Sequence, residues 1–183
     1  MGSCISCAIS HKTTKENELD KSSHPKALNK KYVFTNIDKT SIEVDWKDTT
    51  TFTVPLEEGY VIKVYDGDTI TVANRLPLLD DDTIYRFSVR LNGIDTPEIK
   101  GKSDDEKEAA KAARDVVAEK ILHKHITLKN VSTEKYGRLL ADVWIGNLHI
   151  NQWLIDNRYA LAYDGGTKIQ PKSWTEYQKN GTI

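Results

Sequence analysis

Residues 60–73 read YVIKVYDGDTITVA, two β-prone runs joined by a short acidic turn. The dipeptide Asp66-Gly67 is typical of tight hairpin turns, because both residue types tolerate a positive φ. The runs on either side are rich in β-branched and aromatic residues, which favour strands. This stretch therefore predicts an antiparallel hairpin that carries two carboxylates, Asp66 and Asp68, at its tip.

The sequence that follows predicts further strands and two helices. The run IYRFSVRLNGI at 84–94 alternates with a period of two, which places Arg90 on the face opposite the apolar side chains. Residues 103–123 predict a helix, because Ser103 and Glu106 fit a capping box and apolar residues follow at helical spacing. The runs ITLKNV and RLLADVWI predict more strands, and NQWLIDNRY predicts a second helix. This order indicates an α+β fold, in which a small closed barrel would protect the sheet edges.

The composition limits the classes of protein to consider. The chain has 183 residues, of which 38% are hydrophobic and 29% charged, so it can form one domain with a sizeable core. No run approaches the roughly 18 apolar residues of a membrane-spanning helix. Lys and Arg number 26 against 27 Asp and Glu, which excludes a strongly basic protein that coats duplex DNA. A polyanion would have to be bound by a local patch or through a metal.

The first residues carry a possible lipidation signal. Met1 to Ser6 fit the N-myristoylation pattern with Gly2 as the acceptor, and Cys4 and Cys7 would be palmitoylated as the second membrane signal. A metal-binding or redox pair of cysteines, a cloning remnant and chance are the alternatives. With no secretory signal, we expect an intracellular protein anchored at the cytosolic face of a membrane, or a cytoplasmic one if it is not lipidated.

We expect four segments along the chain. They are a lipidation segment at 1–7, a flexible polar linker at 8–31, an N-terminal extension with possible added strands at 32–57, and the main domain at 58–183.

Three short segments have residue types suited to phosphodiester chemistry. Asp68 and Asp95 would supply the hard oxygen ligands that calcium or magnesium prefers. Glu98 could deprotonate a water molecule, and Arg90 and Arg138 could present planar forks to a phosphate. Taken alone, each segment is also typical of an ordinary turn or loop with no role in catalysis. Together they suggest metal-assisted attack of water on a phosphodiester.

The segments VIKVYDGDTITV, RFSVRLNGIDTPE and EKYGRLLADVWIGNLHIN, in that order, resemble the staphylococcal nuclease (thermonuclease) family over roughly residues 58–165. The resemblance implies an OB-fold, a five-stranded β-barrel with packed helices. It also implies a calcium-dependent endonuclease that acts on DNA and RNA and leaves 3′-phosphorylated fragments.

The resemblance also assigns roles to residues of the first two segments. It implies Ca²⁺ ligands at Asp68 and Asp95, and a further ligand at the backbone carbonyl of Thr96. Glu98 matches the glutamate that activates water in the family. Asp66 matches a nearby acidic position with an indirect part in holding the metal.

The remaining assignments concern the substrate. Arg90 and Arg138 match the two catalytic arginines, and Lys135 and Tyr136 fall where the family contacts phosphate. Tyr163 falls near a base-stacking tyrosine. The implied partners are DNA, RNA and, through the lipid, a membrane surface, with no obligate protein partner. The alternative is a catalytically silent OB-fold module that binds nucleic acid or protein.

Overall fold

A computed structural model describes residues 32–35, 41–76, 78–79 and 82–183. These residues belong to two compact units, the first ending at Thr50 and the second running from Thr51 to Ile183. The lipidation segment and the linker predicted for 1–31 lie outside the described residues. Within the described part of the chain, no helix has the length and apolar character needed to cross a membrane.

The first unit contains a short hairpin and one turn of 3-10 helix. Strand β1 (Tyr32–Thr35) pairs antiparallel with β2 (Ser41–Val44). The 3-10 helix Trp46–Asp48 follows, and the side chain of Asp45 caps it by accepting a hydrogen bond from the Trp46 amide. The strands lie where added strands are expected, and the division into an extension at 32–57 and a domain from residue 58 stays a prediction.

The second unit is built around a closed barrel. Its strands are β3 (Glu58–Val64), β4 (Thr69–Asn74), β5 (Tyr85–Leu91), β6 (Ile94–Asp95), β7 (His125–Thr133), β8 (Leu139–Ile145), β9 (Leu148–His149) and β10 (Leu161–Ala162). Antiparallel pairs run in the order β5-β4-β3-β7-β8, and a parallel pairing of β5 with β8 closes the circle. The predicted α+β fold with a five-stranded OB-fold barrel is confirmed.

Alternation along the strands separates the core of the barrel from its outer face. On β5, Val89 and Leu91 are fully buried and Arg90 points away from them, as the sequence predicts. Burial of each such aliphatic side chain contributes about 1.5–3 kcal/mol. Apolar side chains from the other barrel strands and from the segment before β3 complete this core, among them Leu56, Val61, Ile70, Val72, Ile126, Leu128, Leu139 and Val143.

Helix α1 (Asp104–Ile121) begins at a cap that differs in part from the prediction. The Ser103 hydroxyl accepts a hydrogen bond from the Glu106 amide at 3.1 Å, as a capping box requires. The Glu106 carboxylate, however, accepts from the amides of Lys102 (3.1 Å) and Glu98 (3.4 Å). This carboxylate therefore ties the loop that carries Glu98 to the start of the helix.

Two further helices, α2 (Ile150–Asp156) and α3 (Trp174–Asn180), are attached through polar anchors. The buried Asn151 of α2 accepts from the Val143 amide at 2.9 Å and donates to the Asn92 carbonyl at 2.8 Å. Asp105 of α1 accepts from the Trp174 amide at 2.8 Å, which fixes the first turn of α3. The Asn151 anchor holds the chain just after β5, where it turns toward Asp95 on β6.

Candidate active site

Arg90 joins two of the predicted acidic residues. From the outer face of β5, its Nη1 lies 2.6 Å from Asp68 Oδ2 and its Nη2 lies 3.4 Å from Asp95 Oδ1. The same Nη2 donates to the Ile94 carbonyl at 3.3 Å. Asp68 comes from the turn between β3 and β4, and Asp95 comes from β6. One largely buried guanidinium therefore brings together two segments that are well separated in sequence.

Close backbone packing fixes the acidic turn against its surroundings. A Cβ at Gly67 would lie 3.0 Å from both Thr96 Cγ2 and Ala113 Cβ, so a larger residue would require these neighbours to move by a few tenths of an ångström. Within the turn, the Asp68 amide donates to Asp66 Oδ1 at 3.3 Å. Thr96, the predicted carbonyl ligand, is thus packed directly against the turn that carries Asp68.

The acidic cluster has more negative charge than its protein neighbours neutralise. Burial raises the pKa of Asp68 to about 6, with a further rise from Asp66, even though the charge of Arg90 lowers it. Burial also raises the pKa of Asp66, and the charge of Glu98 adds to the rise. Asp95 Oδ2 is buried and has no hydrogen-bond partner among the residues that the structure describes. A buried carboxylate oxygen without a partner costs free energy, which a bound cation would recover.

Glu98 lies beside the cluster and is more exposed than its aspartates. Its side chain is 49% accessible, compared with 3% for Asp95. It lines a cleft of about 350 Å³ together with Asp66 and Arg138. The cleft opens to solvent, so a water molecule and a phosphate can reach the Glu98 carboxylate.

Arg138 reaches the same cleft from the loop before β8. Its Nε and Nη2 lie 2.8 and 2.5 Å from Glu134 Oε1. The turn between the two residues contains Gly137 at φ 81°, a conformation that favours glycine. Arg138 contacts neither Asp68 nor Asp95, so it is held at the edge of the cluster by a glutamate of its own loop.

The three predicted substrate contacts are not joined to the acidic cluster. Tyr136 is 79% exposed, with Lys135 Nζ 5.8 Å from its ring centroid. Tyr163 is half-buried, and its hydroxyl donates to the Gly166 carbonyl at 3.1 Å. Within the part of the chain that the structure describes, none of the three side chains forms an ion pair or hydrogen bond with the acidic cluster. Their roles in binding substrate stay predictions.

Lys168, which belongs to none of the sequence motifs, also contacts the cluster. Its Nζ lies 2.7 Å from Asp95 Oδ1 and 3.5 Å from Glu98 Oε1. Burial lowers the pKa of Lys168, but its hydrogen bond to Asp95 and the acidic charges outweigh this and raise the pKa overall. The loop reaches the site because β10 pairs with β6, opposite Asp95. Both strands have only two residues, too few for a sequence pattern to reveal.

The residues present suit a hard divalent cation. Among the described residues, no three His, Cys, Asp or Glu side chains are grouped as metal ligands. The predicted set has two carboxylates and one carbonyl, so water would complete the roughly six to eight oxygens that calcium takes. The partnerless Asp95 Oδ2 and the raised pKa of Asp68 both fit such an ion.

The fold and the site together define an OB-fold protein with a carboxylate–arginine cluster on its barrel. The family model described as "Staphylococcal nuclease homologue" matches residues 88–180, half of the chain. The chain belongs to this family, as its motifs predict.

Similar proteins include two thermonucleases. The thermonuclease of Staphylococcus hyicus is 33% identical over 109 residues, covering 58% of this chain and 60% of the relative. The thermonuclease of Staphylococcus intermedius is 34% identical over 108 residues, covering 57% and 60%. Protein ParB of Escherichia coli is 34% identical over 87 residues, covering 48% and 41%. The chain therefore spans at most about 60% of the length of these relatives.

Proposed function

We propose that the protein is a calcium-dependent endonuclease that hydrolyses phosphodiester bonds in DNA and RNA. The observation that carries the proposal is the Arg90 bridge between Asp68 and Asp95, with Glu98 beside it. Two carboxylates that could hold a cation, a guanidinium that could bind a phosphate and an exposed glutamate lie together on the barrel, and this supports the proposal. The chain's membership of the staphylococcal nuclease family, and the two thermonucleases among its relatives, support the same proposal.

In this proposal, the metal is held by Asp68, Asp95 and the Thr96 carbonyl. When bound, Ca²⁺ neutralises phosphate charge and polarises the phosphorus–oxygen bonds. Asp66 adds negative charge to the ligand region without being a ligand itself. Because Asp68 and Asp95 are buried, their charges are poorly screened by water, which strengthens their attraction for the ion.

Glu98 is the general base of the proposed reaction. Its carboxylate accepts a proton from water as the water oxygen attacks phosphorus. The bond from phosphorus to the 5′ oxygen then breaks, and that oxygen takes a proton from solvent, leaving a 3′-phosphate and a 5′-hydroxyl. The hydrogen bond from the Glu98 amide to Glu106 fixes the loop while leaving the carboxylate exposed.

Arg90 and Arg138 stabilise the charge that develops on the phosphoryl oxygens. Arg90 is already fixed by two aspartates, so it loses little conformational freedom when a phosphate binds. Arg138 is paired with Glu134 and must exchange that carboxylate for the phosphate. Lys135, Tyr136 and Tyr163 are proposed to contact the substrate beyond the reacting phosphate.

A comparison of two glutamate variants tests the proposed base. Glu98→Gln removes the base, so cleavage of single-stranded DNA and RNA in calcium should fall by about 10²–10⁴-fold. Glu108→Gln, an exposed change on α1 with the same loss of charge, should cleave at the wild-type rate. Arg138→Ala should also lose activity by orders of magnitude while remaining folded.

Normal cleavage by both Glu98→Gln and Arg138→Ala would contradict the assignment of the site. Oligonucleotide binding without any cleavage by the folded wild-type protein would instead support the silent binding module.

The N-terminal tether is a separate proposal, supported only by the motif that contains Gly2, Cys4 and Cys7. In eukaryotic cells, the full chain should incorporate an alkyne-labelled myristate and sediment with membranes. Gly2→Ala should abolish both, and Cys4→Ser with Cys7→Ser should keep the label but release the protein. An unlabelled wild-type chain would contradict the tether without affecting the nuclease proposal.

A further inference from the structure

The outer face of the barrel next to Glu98 carries a row of polar side chains. The registers of β3, β4 and β5 place Lys63 opposite Thr71, and Thr71 opposite Ser88. In the adjacent row, Thr69 lies opposite Arg90. Residues two apart on a strand share a face and lie about 7 Å from each other. The row that begins with Lys63 therefore ends at Ser88, one such step along β5 from Arg90, whose guanidinium holds the acidic cluster.

This row is continuous with the proposed reaction site. The cleft that contains Glu98 and Arg138 is also lined by Lys63, Tyr65 and the hydroxyl-bearing Thr71. The cleft that holds the proposed base is thus also lined by a lysine and an aromatic ring.

The cation and the ring are both available to a ligand. Tyr65 is 46% exposed, although it directly precedes the buried Asp66. Lys63 is exposed, its Nζ lies 5.8 Å from the Tyr65 ring centroid, and it forms no ion pair with a carboxylate of the described residues. By contrast, Arg90, Arg138 and Lys168 are all paired with carboxylates.

An exposed aromatic ring beside an unpaired cation is the combination that binds single-stranded nucleic acid. Bases stack on the ring, and the cation attracts the backbone, with little dependence on sequence. In OB-folds, the face formed by the second and third barrel strands commonly has this use. Those strands correspond here to β4 and β5, which contribute Thr71 and Ser88 to the row.

We propose that Lys63 and Tyr65, with Thr71 and Ser88, form a binding site for one nucleotide of a single-stranded substrate, adjacent to the phosphate that is cleaved. A base stacks on Tyr65, Lys63 contacts the neighbouring phosphate, and the two hydroxyls face the sugar or base edge. The placement of the cleaved phosphate beside Glu98 rests on the proposed function; the nucleotide site itself rests on the row and the cleft.

Binding without turnover measures this site directly. The full chain carrying Glu98→Gln is titrated, in calcium, into a fluorescein-labelled single-stranded oligonucleotide, and the dissociation constant is read from anisotropy. Adding Tyr65→Ala should weaken binding by at least about fivefold, because a stacked base is lost. Tyr65→Phe keeps the ring and should bind as tightly as the parent.

The salt dependence of oligonucleotide binding distinguishes the contribution of Lys63 from that of Tyr65. Adding Lys63→Ala should reduce the slope of log affinity against log salt by about 0.7, the value for one phosphate contact with a single strand. Lys111→Ala removes an exposed lysine on α1, away from the cleft, and should leave the slope unchanged. Tyr65→Ala should change the affinity without changing the slope.

Two results would overturn the proposal: equal affinity of Tyr65→Ala and Tyr65→Phe, or equal salt slopes of Lys63→Ala and Lys111→Ala. If the wild-type chain cleaves but either result is found, the nucleotide site fails and the nuclease proposal stands. If binding depends on Lys63 and Tyr65 but the wild-type chain does not cleave, the nuclease proposal fails and the nucleotide site stands. If the wild-type chain neither binds nor cleaves the oligonucleotide, both fail.

Discussion

Replacing Lys168 by methionine should strengthen calcium binding at the proposed site. Lys168 Nζ lies 2.7 Å from Asp95 Oδ1 and 3.5 Å from Glu98 Oε1. The ammonium group is therefore already paired with an oxygen of Asp95, a proposed calcium ligand. A divalent cation at Asp95 must displace the ammonium or bind against its charge. Methionine keeps most of the aliphatic side chain and removes the ammonium group, with its charge and its hydrogen-bond donors.

The size of the effect follows from the exposure of the ion pair. The Lys168 side chain is 39% accessible and Asp95 is 3% accessible, so the pair lies between a surface pair and a buried one. A charge-assisted hydrogen bond of this kind contributes about 1.5–3 kcal/mol when shielded, and exposure reduces it to about 1–2 kcal/mol. Since about 1.4 kcal/mol corresponds to a factor of ten, the dissociation constant for Ca²⁺ should fall roughly tenfold.

Calorimetric titration of the metal-free full chain with calcium measures this change without any substrate. Lys168→Arg keeps the charge and should bind calcium like the wild type, and Lys111→Met controls for the loss of one positive charge elsewhere. The metal-free Lys168→Met protein should also be less stable by about 1 kcal/mol, because Asp95 and Glu98 lose their shared cation. Calcium should restore that stability.

An unchanged or weaker calcium affinity in Lys168→Met would refute this reasoning. It would mean that the cation does not use Asp95, or that Lys168 supports the site rather than competing for it.

Three other variants test the way in which the site is built. Gly67→Ala should cost about 1–3 kcal/mol in unfolding free energy and weaken calcium binding, since its Cβ would lie 3.0 Å from Ala113 Cβ. Hydrogen bonds, chiefly from Thr175, lower the pKa of Asp105 from its ordinary value of 3.8. The ionised Asp105 carboxylate therefore stabilises the fold above pH 3.8, and this stabilisation is lost as the pH falls through the lowered pKa. In pH-dependent denaturation, Asp105→Asn should lose less stability on acidification than the wild type. Asn151→Leu should destabilise the protein by about 3 kcal/mol in chemical denaturation, because it leaves buried main-chain groups unpaired; a stable Asn151→Leu protein would contradict its role as an anchor.

Local sequence patterns predicted the strands and helices well, because the spacing of apolar residues and the capping of helices depend only on residues close together in the chain. The alternation of β5 placed Arg90 on the outer face, and the Asp-Gly turn placed Asp68 between two strands, as observed. The helix after Ser103 also begins where its cap predicts. The order of three short motifs was enough to identify the family, although no single motif was.

Contacts between distant segments could not be predicted from the residues alone. The parallel pairing of β5 with β8, which closes the barrel, joins Val89 to Leu139 across fifty positions and leaves no local periodicity. The approach of Lys168 to Asp95 depends on a pair of two-residue strands. Glu106 was expected to complete its own cap, but the loop that carries Glu98 offers it other amide donors.

The most direct test of the nuclease proposal is the calcium dependence of cleavage by the full wild-type chain. Single-stranded DNA and RNA are incubated with the protein in calcium, in excess chelator, and in chelator followed by a surplus of calcium, and the fragment ends are analysed. We predict cleavage to 3′-phosphorylated fragments in calcium, none in chelator, and full recovery when calcium is restored. Undiminished cleavage in chelator, or no cleavage in calcium by a folded protein, would contradict the proposal.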